Sequence, residues 1–195
     1  MADSKNDLLL AAGNALHAWS GVELALAWLF EILSDINNQG KSHAIFDAIV
    51  SFDARLNVVD AVMTMETISD LDREVWNKLV ARLEKKYKKR HEIAHFNISS
   101  NASGISLSPF LTQGTILRGE KRSLSTAEIN ERAVSFNGLR LALTWIVLHA
   151  IKRRHPGAGI PMPEPPLIAQ LRALAVQTLE ERERKRQHPA DETDP

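Results

Sequence analysis

The sequence predicts an all-α protein, an antiparallel bundle of four to five helices with a small β-hairpin or irregular insertion in the middle of the chain. Three observations predict it. Apolar residues recur at spacings of three, four and seven through most of the 195 residues, as a helix with one buried stripe requires. Serine and acidic residues stand where two of these stretches begin, as helix caps do. A single tract rich in serine, glycine and asparagine, Asn97 to Leu124, interrupts the helical texture.

Leu8 to Leu33 reads as a long helix, with Leu9, Leu16, Trp19, Val22, Leu26, Leu29, Phe30 and Leu33 on its inner stripe. Ser20-Gly21 in its middle suits a bend or a close helix contact. Asn37-Asn38-Gln39-Gly40 ends it with turn residues. A short helix over Ser42 to Val50 follows, then a longer one from Asp53 to Glu66 that turns Leu56, Val59, Val62 and Met63 inward. Ser69 or Asp70 caps the next, with Asp72 and Glu74 in its first turn favouring the helix dipole. This helix carries Val75, Trp76, Leu79, Val80 and Leu83, then the basic run Lys85 to Arg90, and reaches His95. Alternation at Ile105 and Leu107, and again at Thr115-Ile116-Leu117 after Gln113-Gly114, suggests a hairpin. Ser125 with Glu128 three residues later is a capping-box pattern that opens a helix to about Arg154, whose basic end suits the dipole. A Pro/Gly-rich linker leads to a last helix striped by Leu167, Leu171, Leu174 and Leu179, and then to a charged tail. Residues 1–155 thus form the bundle, with the insertion at 97–124, and residues 156–195 an appendage.

Basic and acidic residues balance at 24 each, so any anionic partner must be met by a local patch rather than by a global field. The chain has no cysteine, which removes disulfides and thiolate metal ligands and fits a reducing cytoplasm. The first residues lack the basic start of a secretory signal. The apolar run Val22 to Phe30, broken by Glu23, is short for a membrane span. A cytoplasmic protein without a membrane partner is expected, and the sequons at Asn97 and Asn101 are then coincidental.

One segment satisfies two catalytic patterns. From His91 the chain reads His-Glu-x-x-His, the zinc-binding helix of many peptidases. His91 and His95 would lie about 40° apart on a helix, with Glu92 polarising a metal-bound water and Glu128, Glu131 or His149 as nominees for a third ligand. Against this stand Lys88, Lys89 and Arg90 immediately before the first histidine, since cations there oppose a divalent ion. The extended zinc signature also fails, with Ile98 where glycine belongs, and the preceding residues read as helical where such peptidases have a sheet.

From Arg90 the same residues suit cleavage of RNA without a metal. That chemistry needs a base for the 2′-hydroxyl, an acid for the leaving oxygen and a cation for the phosphate. Histidine can move protons near neutral pH, and arginine grips phosphate with paired hydrogen bonds. Arg90 and His95 are roughly 140° apart on an ideal helix, so two copies about a twofold axis would assemble both groups more easily than one.

Arg90-His91-x-x-x-His95 resembles the Arg-polar-x-x-x-His motif of the HEPN superfamily of metal-independent ribonucleases and their inactive relatives. The first helix, with Trp19, Val22, Glu23 and Leu24, is also similar to the opening helix of many bacterial members, and the resemblance covers about residues 5–154. It implies a HEPN-like helical bundle, a homodimer with paired motifs in a shared groove, and RNA as substrate. It further implies a toxin or defence component restrained by an antitoxin or regulatory protein. Arg90 would stabilise phosphate charge and His95 would transfer protons, with no cofactor. His91 would support them, and Glu23 would pair with Arg90 or His91. Lys86 and Lys89 would track the RNA backbone, although such lysines also fit dipole compensation on a solvated face. His95 equally suits a helix-closing role toward a backbone carbonyl. The alternatives are a catalytically silent HEPN-like dimerisation or partner-binding module and, less favoured, the zinc peptidase.

Overall fold

Serine side chains open four of the helices, each accepting a hydrogen bond from a backbone N–H of the first turn. In the computed structural model, which describes residues 4–36, 38–101, 104–108, 123–157 and 161–187, the order is α1 (Lys5–Leu33), α2 (Gln39–Asp47), α3 (Phe52–Met65), α4 (Asp70–His95), β1 (Asn97–Asn101), β2 (Gly104–Ser108), α5 (Thr126–Arg154) and α6 (Pro166–Gln187). Ser4, Ser51, Ser69 and Ser125 are the serine caps, and Asn38 caps α2. Ser125 and Glu128 form the reciprocal capping box that their spacing predicts, and Ser4 with Asp7 forms a second. The short second helix starts earlier than its apolar pattern suggested, because Asn38 supplies the cap.

The protein is mostly helical around one apolar core. Trp19, Val22, Leu26 and Leu29 of α1 face Phe136, Leu139 and Leu143 of α5, all fully buried. Side chains of this size contribute about 1.5–3 kcal/mol each when buried. Trp19 sits centrally, its ring 5.0 Å from Phe52 and 5.1 Å from Phe136. Leu9 departs from expectation at 49% exposed, since Leu8 and Ala11 take the inward positions of that turn. The close contact foreseen at Gly21 is real: a Cβ there would meet Cδ of Arg140 at 2.5 Å.

Contacts also set helix direction. Trp19 meets Phe136, Gly21 meets Arg140, and Arg154 reaches Asp35 and the Leu33 carbonyl, so α1 and α5 run side by side in the same sense. On α4, Arg73 bonds the end of α3 while Tyr87 stacks on Phe52 at its start, so α4 runs against α3. It also runs against α6, where Arg82 bonds Gln170 and Glu74 pairs with Arg182. The expected antiparallel order therefore holds for α4 against its neighbours and fails for α1 against α5.

β1 and β2 form an antiparallel two-stranded hairpin in which Ile98 faces Leu107. Leu107 is buried and exchanges backbone hydrogen bonds with Leu124, which ties the hairpin to the approach of α5. The expected strand at Thr115-Ile116-Leu117 and the charged tail after Gln187 lie outside the described residues. The last helix docks on the bundle through Ile168, Leu171 and Ala175, which share its core. Leu174, expected on that stripe, is 41% exposed because the buried face is rotated by about one position. Helices α1 and α5 are each long and apolar enough to cross a membrane by length and composition alone, although the run Val22 to Phe30 read from the sequence is short for a span. Both carry much of the core just described.

Candidate functional site

The motif occupies the last turns of α4. Ile93 is buried and fixes the helix rotation there. Phe96, in extended conformation, ends the helix and passes the chain directly into β1. This geometry puts His91 and His95 on one exposed edge, with ring centroids 4.1 Å apart. His91 in turn lies 6.5 Å from Tyr87, which stacks on Phe52 at 4.7 Å. An aromatic row thus runs from Trp19 in the core out to His95, giving the two imidazoles a rigid base.

Arg90 is half-buried, one position back and turned away from the histidine pair. Its Nε is sealed from solvent and has no hydrogen-bond partner. No ion pair or hydrogen bond joins Arg90 to another described residue. The protomer therefore brings His91 and His95 together, and does not link Arg90 to His95.

Two acidic residues behave differently from expectation. Glu23 does not hold Arg90 or His91. It accepts a hydrogen bond from Trp19 Nε1 at 2.8 Å and pairs with Arg55 at 3.6 Å, because its rotation on α1 faces α3 rather than the end of α4. Glu92, which had no part in the ribonuclease pattern, is the tie point of the region. Arg132 of α5 approaches it at 2.8 Å and Lys89 at 3.2 Å, and Arg132 Nη1 also donates to the Lys89 carbonyl at 3.0 Å. Arg132 is the residue that sequence reasoning missed; its role depends on a partner in another helix, and no local pattern marks it.

Lys86 and Lys89 are both half-buried, so they are not a freely solvated face. Burial, followed by the charges of Arg82, Lys85, Arg132 and Lys89, holds the Lys86 ammonium below the usual lysine range. These residues form a compact cationic patch beside Arg90, which the balanced total charge conceals. On the other side of α4, a groove of about 740 Å3 against α3 is lined by Asn57, Tyr87, Lys88 and His91, with Asp53 and Glu84 among them.

The zinc pattern fits this setting poorly. Glu92, the would-be water-polarising base, is already neutralised by two cations. Glu128 is engaged in the α5 cap. His149 lies seventeen residues beyond Arg132 on α5, about 26 Å along the helix, where its Nδ1 donates to the Trp145 carbonyl. Among the described residues no three metal-ligating side chains converge. No protein-family model, curated protein or solved structure matches the chain.

Proposed function

We propose that the protein is a HEPN-like, metal-independent endoribonuclease that works as a homodimer. The observation that carries this proposal is the end of α4: Arg90, with a buried and unpartnered Nε, stands between a cationic patch and two exposed imidazoles in ring contact. The patch supplies phosphate contacts. His95 takes the proton of a 2′-hydroxyl or returns one to the 5′-oxygen, and a second protomer's motif performs the opposite transfer. The 2′-oxygen forms a bond to phosphorus while the bond to the 5′-oxygen breaks, leaving a 2′,3′-cyclic phosphate and a 5′-hydroxyl. Arg90 stabilises the charge that accumulates on the phosphoryl oxygens, and His91 buttresses His95 through their ring contact. Lys86 and Lys89 hold the flanking backbone. Use of the 2′-hydroxyl as nucleophile restricts the reaction to RNA. A toxin or defence role, restrained by a protein partner that covers this end of α4, follows from the same family resemblance.

The test is cleavage of structured and single-stranded RNA in excess chelator by the wild type and by Arg90→Ala and His95→Ala, with circular dichroism as a folding control. Chelator-resistant cleavage that drops at least a hundredfold in both variants supports the proposal. Absence of cleavage in folded, dimeric wild type favours the silent partner-binding module. Stoichiometric zinc, with activity lost on chelation, overturns the mechanism.

A further inference from the structure

A second cavity, of about 490 Å3, lies where α3, α4 and α5 meet the 161–164 segment and α6. Its volume is within the range of small-molecule sites, and it lies toward the opposite end of α5 from Arg132. The floor is apolar, built by Met63, Ile68, Val75, Trp76 and Ile146. The rim carries His149, Arg153 and Arg172.

The two arginines on this rim have unmet donor capacity. Arg172 gives one guanidinium nitrogen to Glu164 at 3.0 Å, while its Nε is buried with no partner. An orphaned buried donor costs about 1–3 kcal/mol, and an acceptor brought by a ligand would recover that. Arg153 is exposed and forms no ion pair among the described residues. Because a carbonyl only accepts, the contact between His149 Nδ1 and the Trp145 carbonyl makes Nδ1 the donor, so that ring N–H is already used. The ring rests on Trp145 at 3.6 Å, and the Arg172 guanidinium lies 5.7 Å from the same indole. The two acids on the rim are already engaged, Glu164 by one nitrogen of Arg172 on the same rim and Asp72 by the Ser69 hydroxyl. What remains is an apolar floor under a mouth in which Arg153 and the Arg172 Nε still have donors to give.

We infer that this cavity binds a small amphipathic carboxylate, its chain on the floor and its head between Arg153 and Arg172. Such a ligand touches α5, the 161–164 segment and α6 together, so it binds the docked form of α6 and protects that helix.

The experiment is calorimetric titration of the full chain with octanoate, octanol and octylammonium, with tryptophan emission as a second signal from Trp76 and Trp145. Saturable one-to-one binding of octanoate, at least tenfold tighter than octylammonium, is expected, together with slower proteolysis of α6. Arg153→Ala combined with Arg172→Met should abolish the preference for the anion and leave octanol binding. Met162→Trp, which fills the cavity without changing charge, should weaken octanoate and octanol alike. If the double variant fails to fold, Arg153→Ala alone decides, since its side chain is exposed and unpaired, and it should weaken octanoate at least threefold. Failure of octanoate to saturate the wild type, equal binding of octylammonium, or octanoate binding untouched by Met162→Trp would each overturn the assignment.

Discussion

Arg132→Met should cost the protein about 2–3 kcal/mol, and the reasoning behind that figure tests how the motif is held. Arg132 is 15% exposed and Glu92 19%. Their 2.8 Å contact and the 3.0 Å bond to the Lys89 carbonyl are charge-assisted and mostly shielded from water. Hydrogen bonds to charged groups contribute about 1.5–3 kcal/mol, and methionine keeps the length of the stem while removing both. Lys89 stays on Glu92 at 3.2 Å, but it is the more exposed partner and recovers only the 0.2–1 kcal/mol or so of a surface pair. Glu92→Gln keeps an acceptor and should cost about 1 kcal/mol. Because Glu92→Gln weakens the tie that Arg132→Met removes, the double variant should be less destabilised than the sum, with a coupling of up to about 1 kcal/mol. Urea unfolding followed by circular dichroism measures all four corners of this cycle. A single-variant cost below about 0.5 kcal/mol, or a coupling near zero, would refute the claim that α5 fixes the end of α4 through this pair.

Three further outcomes are expected. Lys86 has its folded pKa lowered below 10.5, first by burial and then by neighbouring cations. The unfolded chain therefore holds more protons in the window between the lowered value and 10.5, and stability rises with pH through it. At neutral pH the cost is fully present, so Lys86→Gln should stabilise by up to about 0.5 kcal/mol after solvent screening, with the gain fading as pH approaches 10.5; urea melts across that range check it. Gly21→Ala should be neutral or mildly destabilising, since the new Cβ displaces Arg140, but in an Arg140→Ala background it should stabilise by about 0.5–1 kcal/mol in the same melts. Glu74, with its side chain 7% exposed, is held by Lys78 at 3.4 Å and Arg182 at 3.0 Å; Arg182→Ala should loosen α6 by about 1 kcal/mol, seen as roughly fivefold faster proteolysis of that helix.

Helix content was legible because its causes are local. Ser125 and Glu128 meet across a single turn, and the stripe through Trp19, Val22, Leu26 and Leu29 is a one-helix property, so both could be read directly. Direction and pairing are different in kind. Nothing local tells that Arg154 will bond Asp35 and the Leu33 carbonyl, and those contacts pin the end of α5 to the end of α1, so that the two run together. Glu23 failed for the same reason. Its interruption of an apolar stripe marked it as engaged, but its partners, Trp19 four residues earlier and Arg55 on α3, were set by how the helices rotate against each other.

The same distinction decides what Glu92 means. In a short pattern it is the middle of His-Glu-x-x-His, a base waiting for a metal-bound water. In the folded chain it is a carboxylate shared by Lys89 on one oxygen and Arg132 on the other, with neither oxygen left unpaired for a metal-bound water. The cations that disfavour zinc are the ones that favour an anion. Lys89, Arg132 and Arg82 already have protein partners, whereas Arg90 keeps a dry Nε with none. A buried donor left unmet is costly unless something supplies the acceptor. Beside Lys86 and two imidazoles, a phosphate oxygen is the acceptor whose charge and chemistry suit the place. On that argument inorganic phosphate should protect the wild type against urea in proportion to its concentration, and Arg90→Met should lose most of that protection while retaining its fold. Equal protection of both proteins would place the anion elsewhere on the cationic patch and would remove Arg90 from the site.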